Sequence, residues 1–106
     1  MTAEEHYLAG MDHFSEDRLD EAIAEFLKAI ELDPGYGDAC HALAMSYHHK
    51  GEYDKAIEWG ERYRGLDPDS PLAYTSLSMF YQAKGMIETA EEMGALAAQA
   101  AARQRA

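Results

Sequence analysis

Apolar side chains recur along this chain at helical spacing, and the recurrence comes in six blocks. Tyr7, Leu8, Met11 and Phe14 fall at intervals of one to four residues, which predicts a first helix over 3–15. Glu4 and Glu5 stand in its first turn, where the helix dipole favours anions. A second stripe, Leu19, Ala22, Ile23, Phe26, Ala29 and Ile30, is opposed by Asp20, Glu21, Glu25 and Lys28. That pattern predicts an amphipathic helix over 18–32. Pro34 has no backbone N–H to continue the ladder, so the helix stops near Asp33. The same reading predicts helices over 38–49, 53–65 and 71–84, and a last one from Ile87 into the alanine-rich tail. Gly65 closes the fourth, and Ser70-Pro71 opens the fifth with Ser as cap and Pro at the first helical position. Nothing alternates with period two for long enough to predict a strand.

The blocks repeat. Leu32-Asp33-Pro34 returns 34 residues later as Leu66-Asp67-Pro68. The same shift carries Ala22 onto Ala56 and Ala90, Leu43 onto Leu77, Tyr47 onto Tyr81 and Gly51 onto Gly85. Met11, Met45 and Met79 superpose as well. Asp17 takes the place of Gly51 and Gly85, and Asp tolerates the left-handed turn better than most residues. A fixed period of this length marks stacked supersecondary units. Three fit without insertion: 3–36, 37–70 and 71–104.

The pattern resembles the tetratricopeptide repeat over essentially the whole chain. Unit two carries Leu43-Ala44, Tyr47, Gly51, Tyr53, Ala56 and Pro68. Unit one carries Gly10, Leu19, Ala22, Phe26, Ala29 and Pro34, and unit three Tyr74, Leu77, Tyr81, Gly85, Ala90 and Ala97. The resemblance implies an all-α fold: three stacked helix-turn-helix units, six helices, in a short right-handed solenoid. Small residues at Gly10, Ala44 and Ser78 let paired helices approach closely. Each pair has apolar faces that only a stacked neighbour can bury. The departures carry their own expectations. Gly60 stands where the family prefers an aromatic and Tyr63 where it prefers Ala, so a void and a bulge are expected one turn apart. His6, His13 and Cys40 replace larger apolar residues, which makes unit one polar inside.

Function follows from the same resemblance. In this family the first helices of successive units line a concave groove that holds peptide segments. Carried over, the groove is lined by Tyr7, Met11 and Phe14, then His41, Met45 and His48, with His49 beside them, then Leu72, Thr75, Met79 and Gln82. The methionine row offers unbranched, polarisable contacts that repack around different partners. The chain contains no Asn, and its only first-helix cations are Lys50 and Lys84 at the helix ends. A clamp for an acidic carboxyl terminus is therefore not expected. An apolar or aromatic protein or peptide ligand fits better.

Composition narrows the alternatives. With 20 acidic residues against 9 Lys plus Arg, the net charge is -11, which repels nucleic acid and anionic membrane surfaces. One cysteine precludes an internal disulfide, and Cys40 sits at a packing position. The amino terminus lacks a basic start and apolar run, so a cytoplasmic location is expected. Gly35 and Gly37 lack the third glycine and preceding strand of a dinucleotide loop. No catalytic motif is present, and no enzyme activity or cofactor is expected. His41, Met45 and His48 suit copper(I) by ligand type, but the two histidines lie about 10 Å apart along a helix axis, so no metal is expected. If these histidines gain charge below about pH 6.5, groove affinity changes. The expected role is a non-catalytic adaptor or scaffold. The alternative is structural self-assembly, with the open ends of the array stacking on another copy as a homo-oligomer. The small-residue strip Ala90, Gly94 and Ala98 reads first as a low-bulk helix face and only second as a self-association face.

Overall fold

The computed structural model describes residues 1–106. It contains six helices and no strand: α1 (Ala3–Ser15), α2 (Leu19–Leu32), α3 (Gly37–His49), α4 (Tyr53–Leu66), α5 (Pro71–Lys84) and α6 (Ile87–Arg105). Local signals account for most boundaries. Asp33 and Asp67 each precede a proline, and both leave the helical region with φ near -143°. The turn inside each pair needs a left-handed residue, supplied by Asp17 (φ 60°), Gly51 (φ 82°) and Gly85 (φ 91°). The residue after each donates its N–H back to the carbonyl five positions earlier: Arg18 to His13, Glu52 to Tyr47 and Met86 to Tyr81, all at 2.9 Å. Each turn thus satisfies carbonyls that the helix end would otherwise leave unpaired.

Two local expectations change. Gly65 does not end α4; the helix runs on to Leu66 and is capped at Asp67. Ser70 makes no side-chain cap to α5, and its Oγ instead lies 3.4 Å from the Tyr63 hydroxyl. Pro71 at the first helical position starts α5 without it. At the other end, Thr2 forms a capping box with Glu5: the Glu5 N–H donates to Thr2 Oγ1 at 3.1 Å, and the Thr2 N–H to Glu5 Oε1 at 3.0 Å.

Helices pair in sequence order, α1 with α2, α3 with α4 and α5 with α6, and successive pairs join through α2–α3 and α4–α5. First helices also touch one another, α1 with α3 and α3 with α5, whereas α2, α4 and α6 do not. The first-helix layer is therefore the tighter, inner side of a curved stack. The slab measures 38 × 31 × 20 Å, and its thin dimension is two helix layers.

One contiguous core threads all three pairs, with Ala22, Phe26, Leu43, Ala56, Leu77 and Phe80 fully buried. The Phe26 ring fills the space over Gly10 so closely that an added Cβ there would lie 2.5 Å from it. The void expected at Gly60 is absent. Leu77 and Phe80 of α5 cover it, and a Cβ there would lie 2.9 Å from Leu77 Cδ2 and 3.1 Å from Phe80 Cε2. Unit one keeps its aromatic on α2; unit two receives its aromatic from the following unit. Unit one is polar inside: His6 Nδ1 lies 2.7 Å from Glu25 Oε2, and His13 Nδ1 is buried without a partner. No helix is long and apolar enough to cross a membrane.

Candidate functional site: the inner trough

The inner side carries an apolar depression of about 330 Å³. Tyr7, Met11 and Phe14 of α1 form one wall, and Asp38, His41, Ala42 and Met45 of α3 form the floor and opposite wall. Leu72 of α5 closes one end. These residues share a face because i, i+3/i+4 and i+7 positions stack on one side of a helix. Asp38 is the one charged residue in the lining.

Packing fixes the walls. Tyr7 leans on Phe26 and Tyr36, with ring centroids 6.0 and 5.2 Å away. Burial and the Asp38 carboxylate raise the Tyr7 pKa, so the phenol stays neutral. Phe14 stacks on His49 at 5.1 Å. Met11 is 37% exposed and Met45 is half-buried against the core, so the two thioethers differ in freedom. His41 ties the floor to the third unit through Nε2, 2.8 Å from Ser76 Oγ, with its ring 5.0 Å from that of Tyr63. Burial holds its pKa below the usual histidine value, opposed in part by Asp38.

The other expected lining residues lie outside this depression. His48 packs among Tyr53, Phe80 and His49, with centroids at 5.6, 5.2 and 5.8 Å. Its Nδ1 is buried without a partner, and burial with the neighbouring His49 lowers its pKa. The charge expected on His41 and His48 near pH 6.5 therefore waits for lower pH. Thr75, Met79 and Gln82 are exposed on α5, where the inner face continues beyond the depression. Thr75 Oγ1 donates to the Pro71 carbonyl at 3.0 Å, and Met79 is 37% exposed. Ala42 joins the lining although nothing in its chemistry marked it; its place beside His41 on the α3 face was the available signal.

The first-helix cations do not reach this surface. Lys50 Nζ lies 2.6 Å from Asp20 Oδ1 and 3.4 Å from Glu52 Oε2, and Lys84 pairs with Asp54. Both are committed to ion pairs between units. Cys40 is a buried thiol whose pKa burial raises. No three His, Cys, Asp or Glu side chains converge anywhere in the chain.

The family described as tetratricopeptide repeat matches residues 7–71, more than half of the chain. A tetratricopeptide repeat domain-containing protein, PYG7, chloroplastic, of Arabidopsis thaliana is 36% identical over 64 residues, covering 60% of this chain and 21% of its own length. The repeat-containing protein YpiA of Bacillus subtilis (strain 168) is 33% identical over 70 residues, covering 59% and 16%. The photosystem I assembly protein Ycf3 of Cyanophora paradoxa is 28% identical over 92 residues, covering 84% and 52%. The chain thus spans at most about half the length of these curated relatives. Among solved structures, MamA superposes with a TM-score of 0.95 at 32% identity, over 98% of this chain and 61% of that one. The first such domain of Spaghetti (RPAP3), bound to the HSP90 peptide SRMEEVD, superposes with a TM-score of 0.90 at 19% identity, over 93% and 79%.

Proposed function

Since this chain belongs to the tetratricopeptide repeat family, we propose that it is a non-catalytic interaction scaffold that holds an apolar or aromatic segment of another protein in the inner trough. We take 3–36, 37–70 and 71–104 as its three units and the cytoplasm as its place of work. The observation that carries the reading is the trough itself: an open apolar channel on the inner side whose lining holds a single charge. Met11 is the exposed contact, Phe14 and Met45 lie half-buried beside it, and Met79 extends the contact along α5 toward Thr75 and Gln82. His48 supports the wall from behind through Phe80.

The chemistry of the lining separates this chain from a carboxyl-terminus clamp. The Spaghetti domain is bound to SRMEEVD, an acidic peptide. Here the trough presents Asp38, and Lys50 and Lys84 are held in inter-unit ion pairs. A panel of immobilised peptides tests the reading. Peptides rich in aromatic and aliphatic residues are expected to bind, and SRMEEVD is not. Met11→Glu places a carboxylate on the open wall and is expected to weaken the apolar peptides about tenfold with helix content unchanged. Retention of SRMEEVD, or apolar binding indifferent to Met11→Glu, would refute the proposal.

A further inference from the structure

Asp38 belongs to two depressions at once. It lines the apolar trough, and it also lines a second depression of about 400 Å³ at the turns between helix pairs. The α2–α3 turn gives this second space Asp33 and Tyr36, and the end of α4 with the turn after it gives Tyr63, Leu66 and Asp67. Where the two meet, the boundary is aromatic. Tyr7 lines the trough, Tyr36 lines the turns, and their ring centroids are 5.2 Å apart. Tyr63 packs over Gly37, where a Cβ would lie 3.4 Å from Cε1 of its ring.

The charge of the second depression is one-sided. Asp33, Asp38 and Asp67 line it beside two phenol rings, and no Lys, Arg or His does. None of the chain's ion pairs uses any of the three carboxylates. Asp33 accepts the Gly35 N–H at 3.2 Å, and Asp38 is exposed. Like charges held on fixed turns repel, and a cation arriving among them relieves that repulsion. Burial raises the pKa of Tyr36, and nearby carboxylates add to the rise, so the phenol stays neutral and its face can receive a cation. Distance then sets the spacing of a ligand that uses both spaces. Met45 and Asp38 are seven residues apart on α3, about 10 Å along the helix axis. In an extended segment, alternate residues point to one side roughly 7 Å apart, and a long side chain spans the remainder.

We propose that the segment of another protein held in the trough carries an arginine two positions from its large apolar residue. The apolar side chain rests on Met11 and Met45. The guanidinium passes Asp38 and lies among Asp33, Asp67 and the rings of Tyr36 and Tyr63. This rests on the trough as the binding site and adds the chemistry of the partner. Arginine fits better than lysine, because its planar group gives a carboxylate two N–H donors and stacks on aromatic faces. Asp38 also stands in the first turn of α3, where the helix dipole favours an acid. That role is blind to the charge of a ligand, so charge selectivity separates the two.

The test uses the whole chain and three labelled peptides that differ at one position, two residues from a phenylalanine, which holds Arg, Gln or Glu. Each is made in both chain directions, and the tighter order is carried forward. By fluorescence anisotropy the Arg peptide is expected to bind about tenfold more tightly than the Gln peptide, and the Glu peptide more weakly than either. Asp38→Asn is expected to bring the Arg peptide within about threefold of the Gln peptide and to leave the Gln peptide unchanged. Glu58→Gln removes an equal charge from an exposed site on α4 and is expected to change neither. Asp67→Asn alters the second depression alone and is expected to weaken only the Arg peptide, about threefold. It decides the matter if circular dichroism shows Asp38→Asn misfolded. No binding of any peptide would overturn the trough and this proposal together. Equal binding of all three would leave the trough standing and overturn the arginine. An Arg preference that survives both Asp substitutions, or falls as far in Glu58→Gln, would belong to the net charge of the chain and would also overturn it.

Discussion

Glycine-to-alanine substitution at two equivalent positions is expected to change stability in opposite directions. Gly60 and Gly94 both lie inside second helices, 34 residues apart. At each, alanine removes the helix-interior penalty of glycine, a gain of about 1 kcal/mol. At Gly94 that gain is unopposed, because the new methyl would meet only Ser78 Oγ at 3.7 Å, an ordinary contact. At Gly60 the methyl would lie 2.9 Å from Leu77 Cδ2 and 3.1 and 3.2 Å from two Phe80 ring atoms. Leu77 and Phe80 are both fully buried and have no free space to move into. Overpacking of this kind costs about 1–3 kcal/mol, so Gly60→Ala should be destabilising by up to about 2 kcal/mol net. Gly10→Ala should be worse, with Phe26 ring atoms at 2.5, 2.6 and 3.0 Å from the methyl. Urea unfolding followed by circular dichroism should order the proteins as Gly94→Ala above wild type, then Gly60→Ala, then Gly10→Ala. Each kcal/mol corresponds to roughly 4 °C in melting temperature for a chain of this size. If Gly60→Ala stabilises as much as Gly94→Ala, the ring of Phe80 does not occupy the space over Gly60.

Four further outcomes follow from individual groups. Burial depresses the pKa of His41 and His48, so the unfolded chain takes up protons first. Stability is therefore full above the usual value of 6.5 and declines as pH falls below it, and His41→Gln should flatten the fall in melting temperature between pH 7 and 5.5. Glu25 adds a loss in a lower window. His6 donates a hydrogen bond to its carboxylate and holds its pKa below 4.5, so that contribution survives until pH falls beneath the ordinary carboxylate range. Asp17→Gly should relieve the left-handed turn at φ 60° and raise the urea midpoint by the equivalent of about 1 kcal/mol with an unchanged slope. Tyr81 donates to Glu61 Oε2 at 2.8 Å, and burial with that carboxylate pushes its pKa up to about 12. Tyr81→Phe should remove one late-titrating phenol from the ultraviolet pH titration and cost about 1 kcal/mol.

The six helices and their order were legible in the chain because the signals that make them are local. Apolar stripes at helical spacing, Asp-Pro stops and left-handed turn residues act within a few positions of themselves. The period added the stacking, since a face repeated every 34 residues has to meet the face of its neighbour. Tyr7, Met11, Phe14, His41 and Met45 could be picked out because they share first-helix faces. Where the local signals misled, a non-local contact had the final say. Ser70 looks like a helix cap, but its hydroxyl turns to Tyr63, a partner from the preceding helix. His48 has the spacing of a groove residue, yet the approach of Phe80 from α5 draws it into the wall.

The sequence by itself determined the helices, their pairing and the polar first unit, because each depends on residues near one another in the chain or on an exact period. Tertiary structure alone decided which space is filled. Gly60 and Gly94 read alike as letters, and the approach of Phe80 makes the first a packed core position while the second is exposed on α6. The physical reason is that a cavity belongs to the surfaces that surround it, and those come from separate helices whose approach no single stretch of sequence encodes.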